Sequence, residues 1–176
     1  DLQIVREGQP PQFVRTMIVG ARPDPRNAND LQVSVDVSEL ALAAAPADFE
    51  GLGEKIAQIS ARVVLEQSPA RDRAPAWSGQ GKAARYESLA LLWGPAKLTG
   101  AGRIALDPAR LPVGRLDLTL ETAGPTPDMA PIMAGVFAAA AQINAATGNP
   151  APIALRFETG VLKVGDLPVR PLDPVL

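Results

Sequence analysis

The feature that most constrains this chain is a charge-free stretch in a protein where 20% of the residues are charged. No Asp, Glu, Lys or Arg occurs from Met129 to Leu155. Within this stretch, the run MAPIMAGVFAAAAQINAATG has the length and the alanine content of one long apolar helix. Because so few of its side chains are polar, such a helix has to be hidden. The stretch therefore predicts a helix around Pro127–Ala146 at the centre of the fold.

The two sides of this predicted helix differ in side-chain size. A membrane span is not favoured, because Pro, Gly, Gln and Asn interrupt the stretch. At 100° per residue one face is bulky, and it carries Met129, Ile132, Met133, Val136, Phe137 and Ile143. The opposite face is small, and it carries Ala130, Ala134, Gly135, Ala138, Ala141, Gln142 and Ala145. We expect the bulky face to pack on a sheet. The alanine face either meets solvent or allows the close approach of a second element, a partner or a lipid chain.

Several other segments alternate between apolar and polar residues, as strands with one wet face do. In order along the chain they are Leu31–Val37, Ile56–Glu66, Arg85–Trp93, Ala96–Asp107 and Gly114–Glu121, followed by a closing hairpin over Ile153–Glu158 and Val161–Gly165. Residues Ala21–Asp30 contain two prolines, two asparagines and two aspartates and so predict a loop. Within Ala96–Asp107, Gly100 and Gly102 predict a bend or a bulge.

These patterns predict an α+β fold. A curved antiparallel meander is expected to pack one apolar face against one long C-terminal apolar helix. The whole chain, residues 1–176, is interpreted as a single domain. Residues 1–76 add strands to the same sheet or form a loosely attached extension.

The composition excludes many kinds of chemistry. The chain has no Cys and no His, so Ser-His-Asp catalysis, thiolate nucleophiles and the usual zinc sites are impossible. The carboxylate pairs Glu50/Glu54 and Asp117/Glu121 are explained by solvated surface as well as by glycosidase chemistry. Lys and Arg form no basic run, and aromatic residues are only 4% of the chain, so nucleic-acid binding is not expected. We therefore predict no enzyme activity, no cofactor and no metal.

Two local motifs are too weak to predict a site. Asp24, Asn27, Asn29 and Asp30 offer oxygen ligands for calcium, but their spacing does not match an EF-hand loop, and turn formation explains the same residues. Ser78–Lys82 resembles a phosphate-binding loop. It has Ala76 where that motif needs its first Gly and Ala83 where it needs Ser or Thr.

The run WGPAKLTGAGRIALDPARLPVGRLDLTLE (Trp93–Glu121) resembles the domain of unknown function 2125 family, in the C-terminal portion of its members. The matching features are a Trp-Gly-Pro strand start, a Gly-x-Gly turn into ALD, a Pro-x-Gly strand, an apolar helical segment and a Gly- and Pro-bearing tail, here Phe157–Leu176. The resemblance is strongest over residues 77–176. It implies a bacterial envelope protein related to AsmA-like proteins, located in the periplasm. It also implies that full-length members are anchored to the inner membrane by a segment that this sequence does not contain.

Pattern and resemblance together predict a non-catalytic module of the cell envelope that binds lipid or another apolar ligand in a curved sheet. The expected ligand-binding residues are Met133, Val136, Phe137, Leu98 and Ile104. The alternative is a protein–protein interaction or structural module of a membrane-anchored envelope protein. In that case an exposed strand edge or the alanine face contacts another envelope protein.

Overall fold

The computed structural model describes residues 2–4, 12–45, 47–66, 83–123 and 128–174. In this part of the chain, ten strands form one antiparallel sheet in which every strand pairs with its neighbours in sequence. The strands are β1 (Leu2–Ile4), β2 (Gln12–Asp24), β3 (Asn27–Ala41), β4 (Lys55–Leu65), β5 (Ala83–Trp93), β6 (Ala96–Leu106), β7 (Pro112–Thr122), β8 (Ala151–Glu158), β9 (Val161–Val164) and β10 (Leu167–Pro171). A 3-10 segment (Ala47–Leu52) lies between β3 and β4, and α1 (Pro131–Thr147) lies between β7 and β8.

The predicted fold class is wrong. The described residues form one continuous sheet of ten strands, and the single α-helix among them is only 17 residues long. The main contacts of α1 are with β7 and β8, so the helix is an insertion over two strands and not a second layer. The charge-free stretch misled the prediction because it contains the helix, a turn and most of β8.

The register of the strands gives the sheet one apolar face. A row of side chains in direct cross-strand opposition runs over seven strands, from β2 to β8: Val19, Val35, Ala61, Leu89, Gly100, Leu118 and Ile153. Directly opposed residues point to the same face of a sheet, so this row and its alternate neighbours define the apolar face. The alternation seen in the sequence is thus carried across the whole molecule.

The opposite, polar face carries a row of basic residues in the same kind of opposition. Arg85, Arg103, Arg115, Arg156 and Lys163 lie side by side on β5 to β9. Like charges directly opposite one another destabilise a sheet, so each cation needs an acidic neighbour. Asp24, Glu66, Asp117, Asp166 and Glu158, respectively, supply these partners through salt bridges.

The prediction of a loop over Ala21–Asp30 is also wrong. These residues form a tight hairpin that joins β2 to β3. Its polar residues stabilise the turn: a carboxylate oxygen of Asp24 accepts a hydrogen bond from the Arg26 N–H at 3.1 Å. The Asp24 carboxylate also binds the Arg85 guanidinium at 3.1 Å, and its side chain is only 1% exposed. The carboxylate considered for calcium is therefore engaged by an arginine.

Fewer residues of α1 are buried than the predicted bulky face implied. Phe137 and Ala140 are buried, while Ile132 and Ile143 are 44% and 39% exposed. The alanine face is partly covered, since Gly135, Gln142 and Ala145 are exposed and the other small residues are half-buried. Gly148 ends the helix in the left-handed conformation at φ 68°, which glycine adopts without steric cost.

We expect the salt bridge of Glu66 to make stability depend on pH. Hydrogen bonds from the Arg103 guanidinium lower the pKa of Glu66 in the folded protein below its ordinary value. A lowered folded-state pKa gives stability that is present above the unfolded-state pKa and is lost as the pH falls through the folded value. Glu66→Gln should therefore lower the urea midpoint at pH 7, and this loss should be smaller near pH 3. An equal loss at both pH values would contradict this linkage.

We expect that positions 100 and 102 require glycine, because β6 packs closely on β7 at Gly100 and Gly102. A Cβ atom on Gly100 would meet the Asp117 carbonyl oxygen and would lie 2.6 Å from the Leu118 Cδ2 atom. The register irregularity lies opposite them, on β5 between Tyr86 and Leu89, and not on β6 itself.

Gly100→Ala should therefore lower the free energy of unfolding by about 1–3 kcal/mol, as overpacking does. Gly135 is the matched control because a Cβ there meets nothing within 4 Å. Gly135→Ala should raise the free energy of unfolding by about 0.4–1 kcal/mol, through helix propensity and the unfolded state. Urea titration measures both, and equal effects of the two variants would refute the packing argument.

Candidate functional site

An apolar groove lies between α1, the 3-10 segment and the apolar face of the sheet from β5 to β10. Its volume is about 570 Å³. The lining residues are Phe49, Leu52, Leu91, Trp93, Ala96, Leu98, Leu118, Leu120, Ala130, Pro131, Ile132, Met133, Val136, Phe137, Ile153, Leu155, Leu162, Val164, Val169 and Arg170. All but the last are apolar. This size and lining are typical of sites that bind small apolar molecules.

Trp93 fixes one wall of the groove. This residue is 8% exposed, and its Nε1 donates a hydrogen bond to the Gly53 carbonyl oxygen at 2.7 Å. The rings of Phe49 and Trp93 are in contact, with centroids 5.6 Å apart. This contact ties the 3-10 segment to the end of β5. The wall is therefore held by both a hydrogen bond and an aromatic pair.

The helix forms the facing wall. Phe137 is 4% exposed and belongs to the buried cluster that also contains Trp93, Leu120 and Ala151. Met133 and Val136, on the same side of the helix, are half-buried and line the groove. The groove is thus open space between a well-packed cluster and the last strands of the sheet.

Arg170 is the one charged residue that lines the groove in the described part of the chain. It lies on β10 opposite Leu162, another lining residue, so both side chains belong to the apolar face. The pairing of β10 with β9 shifts register between Pro168 and Arg170. Because a bulge breaks the strict alternation of a strand, Val169 and Arg170 both line the groove.

Four of the five predicted ligand-binding residues line this groove: Leu98, Met133, Val136 and Phe137. Ile104 does not line it. Ile104 lies on the same face, but near the far end of β6, opposite Ala84 and Gly114. Sequence reasoning missed Arg170, because the Gly- and Pro-bearing tail was not predicted to be a strand. The alternation of Leu167 and Val169 indicates a strand, but it places Arg170 on the opposite face, since the bulge before Arg170 has no signature in the pattern.

The other candidate sites gain no support from the geometry. Ser78–Lys82 lies outside the described residues. Asp117 and Glu121 pair with Arg115 and Lys97 on the polar face. No group of three or more potential ligands that could hold a metal ion occurs within the described ranges.

Comparison with known families identifies the chain's relatives. Residues 14–173 match the family described as an uncharacterized protein conserved in bacteria, domain of unknown function 2125. The chain belongs to this family. The match begins well before residue 77, so the family features extend through the N-terminal strands that the resemblance had covered only thinly. No curated protein and no solved structure gives a significant match. Among the described helices, none is both long and apolar enough to cross a membrane.

We expect Phe137 to contribute more to stability than any exposed apolar residue of the helix. Phe137→Ala should lower the free energy of unfolding by about 3–5 kcal/mol, because it leaves a cavity in the cluster. Ile143→Ala is the control at a site that is 39% exposed, and it should cost below about 1 kcal/mol. Urea titration followed by circular dichroism measures both losses. Similar losses would show that the helix is not held by Phe137.

Proposed function

We propose that this chain is a non-catalytic module of the bacterial cell envelope that binds a lipid chain in the apolar groove. The observation that carries the proposal is the groove itself, with nineteen apolar lining residues around about 570 Å³. Water in such a space finds few hydrogen-bond partners, so its replacement by hydrocarbon is favourable.

The exposed parts of the apolar face support the same proposal. In β3 and β4 the apolar residues of the face, such as Val33, Val35 and Val63, are only half-buried. In β2, Met17 and Val19 are 44% and 57% exposed. A large apolar surface of this kind usually marks contact with a partner or a lipid. The groove is the part of that surface shaped to enclose a ligand.

A direct test uses Trp93 as the reporter. In a Trp77→Phe background Trp93 is the only tryptophan of the chain. A long-chain alcohol brominated along its chain should quench Trp93 fluorescence in a saturable manner, because bromine in the groove would lie against the indole. The same alcohol without bromine should compete. Failure of the unlabelled alcohol to reverse the quenching would overturn the proposal.

A groove-filling variant should weaken this binding. Val136→Phe adds volume inside the groove, and overpacking of about 1–3 kcal/mol corresponds to a dissociation constant raised about 5- to 150-fold. Val19→Phe makes the same chemical change at a site that is 57% exposed and outside the groove. Binding should be unchanged in Val19→Phe. Equal affinity of the two variants would place the ligand elsewhere.

The envelope location is part of the same proposal. It is supported by the resemblance of the chain to envelope proteins and by its large apolar surface. Fractionation of bacteria that express the native full-length protein, combined with protease protection in spheroplasts, tests this location. Recovery in the cytoplasmic fraction would contradict it.

A second candidate function is strand addition at the β2 edge. Only Gln12–Val14 of β2 pair with β1 in the described residues, which leaves Arg15–Pro23 without a strand on that side. Phe13 and Ile18 on this strand are 49% and 62% exposed. A long edge with apolar side chains is a template for an extended segment of another protein.

This alternative predicts site-selective crosslinking. A photo-reactive residue in place of Thr16, on the β2 edge, should crosslink to one discrete partner in cells. The same residue in place of Asp117, on a strand paired on both sides, should not. Ile18→Lys should abolish the crosslink, because a charge on the edge opposes pairing. Persistence of the crosslink in that variant would exclude strand addition here.

A further inference from the structure

We propose that the groove ligand is an amphiphile with a carboxylate head group, and that Arg170 binds this carboxylate at the mouth of the groove. This inference rests on the proposed function, since it specifies the class of lipid that the groove would take. Three observations lead to it: the position of Arg170 in the lining, its orientation, and its lack of an acidic partner.

The position of Arg170 gives the groove a single polar end. The other lining residues offer only apolar side chains, so hydrocarbon is the part of a ligand that they would contact. Arg170 itself is exposed, which places its guanidinium where the groove meets solvent. A ligand with one apolar chain and one polar head matches this distribution of lining groups.

The register of the backbone, and not a side-chain rotamer, determines the face of the sheet on which Arg170 lies. Its opposition to Leu162 places it on the apolar face, and Leu162 is opposed in turn to Phe157 of β8. The register shift before Arg170 is what brings an arginine to a face that is otherwise apolar. The basic row on the polar face lies on the other side of the sheet.

The charge of Arg170 has no acidic partner among the described residues. The cations of the basic row, by contrast, each form a salt bridge with a carboxylate. Among the described residues, none of those that line the groove is acidic. A guanidinium binds a carboxylate through paired hydrogen bonds, and the single charge of that head group matches the single arginine. A phosphomonoester would bring about −1.5 to −2 charges to one cation.

The test compares two ligands that differ only in the head group. A brominated long-chain carboxylate and the corresponding brominated alcohol are titrated at pH 8, below their micelle-forming concentrations, with Trp93 quenching as the readout. The wild-type groove should bind the carboxylate about ten- to a hundredfold more tightly than the alcohol, as charge-assisted hydrogen bonds do. This preference should shrink at high salt, because the guanidinium is exposed.

Arg170→Gln should remove the preference for the carboxylate, so that the carboxylate and the alcohol bind with similar affinity. Arg170→Lys should restore part of it, because the charge is kept and the paired geometry is lost. Arg62→Gln is the matched control, since Arg62 is an exposed strand arginine on the polar face without an ion pair in the described structure. It should bind both ligands as the wild type does.

The possible failures are distinguishable. If neither ligand binds, the proposed function and this inference both fail. If the alcohol binds and the wild type shows no preference for the carboxylate, the inference fails and the proposed function stands. A preference that survives in Arg170→Gln, or tighter binding of a single-chain phosphodiester lipid than of the carboxylate, would also overturn the inference.

Discussion

The register of the antiparallel ladder is the constraint on which the rest of this structure depends. From β2 to β8, apolar residues oppose apolar residues, and on β5 to β9 the basic residues oppose basic ones. A slip of one residue in any strand would move its apolar side chains to the polar face. The free-energy cost of moving these apolar side chains to the polar face keeps each strand in register. The salt bridges on the polar face make the row of like charges tolerable, and so support the same register.

The groove forms where two long connections and a bulge interrupt the regular meander. The connection between β7 and β8 is long enough to hold α1, and the connection between β3 and β4 holds the 3-10 segment. Both lie over the apolar face near Trp93, and the space between them and the last strands is the groove. The bulge in β10 then adds one arginine to an otherwise apolar lining. Each of these features is a local departure from the regular meander.

The sequence predicted the strands that alternate strictly and failed where other signals dominate. Leu31–Val37, Ala96–Leu106 and Leu116–Leu120 are strands as expected, because period-two alternation has a single structural interpretation. The hairpin at Asp24–Asn27 was missed because Pro, Asn and Asp are as frequent in long loops as in tight turns. Four of the five expected groove residues were identified from the helix and from β6. Ile104 was misplaced because alternation specifies a face of the sheet and not a position along the strand.

The predicted start of the helix at Pro127 is wrong, since α1 begins at Pro131. The sequence by itself determined the chemistry of each strand face, the absence of Cys and His, and the C-terminal end of the helix at Gly148. These properties are local, since they depend on residues within a few positions of one another. Only the tertiary structure decided that the helix covers two strands and not the whole sheet, and that Arg170 shares a groove with Trp93 and Phe137. Those relations join residues that are tens of positions apart. They are set by strand register and by a bulge, and neither has a signature in the sequence pattern alone.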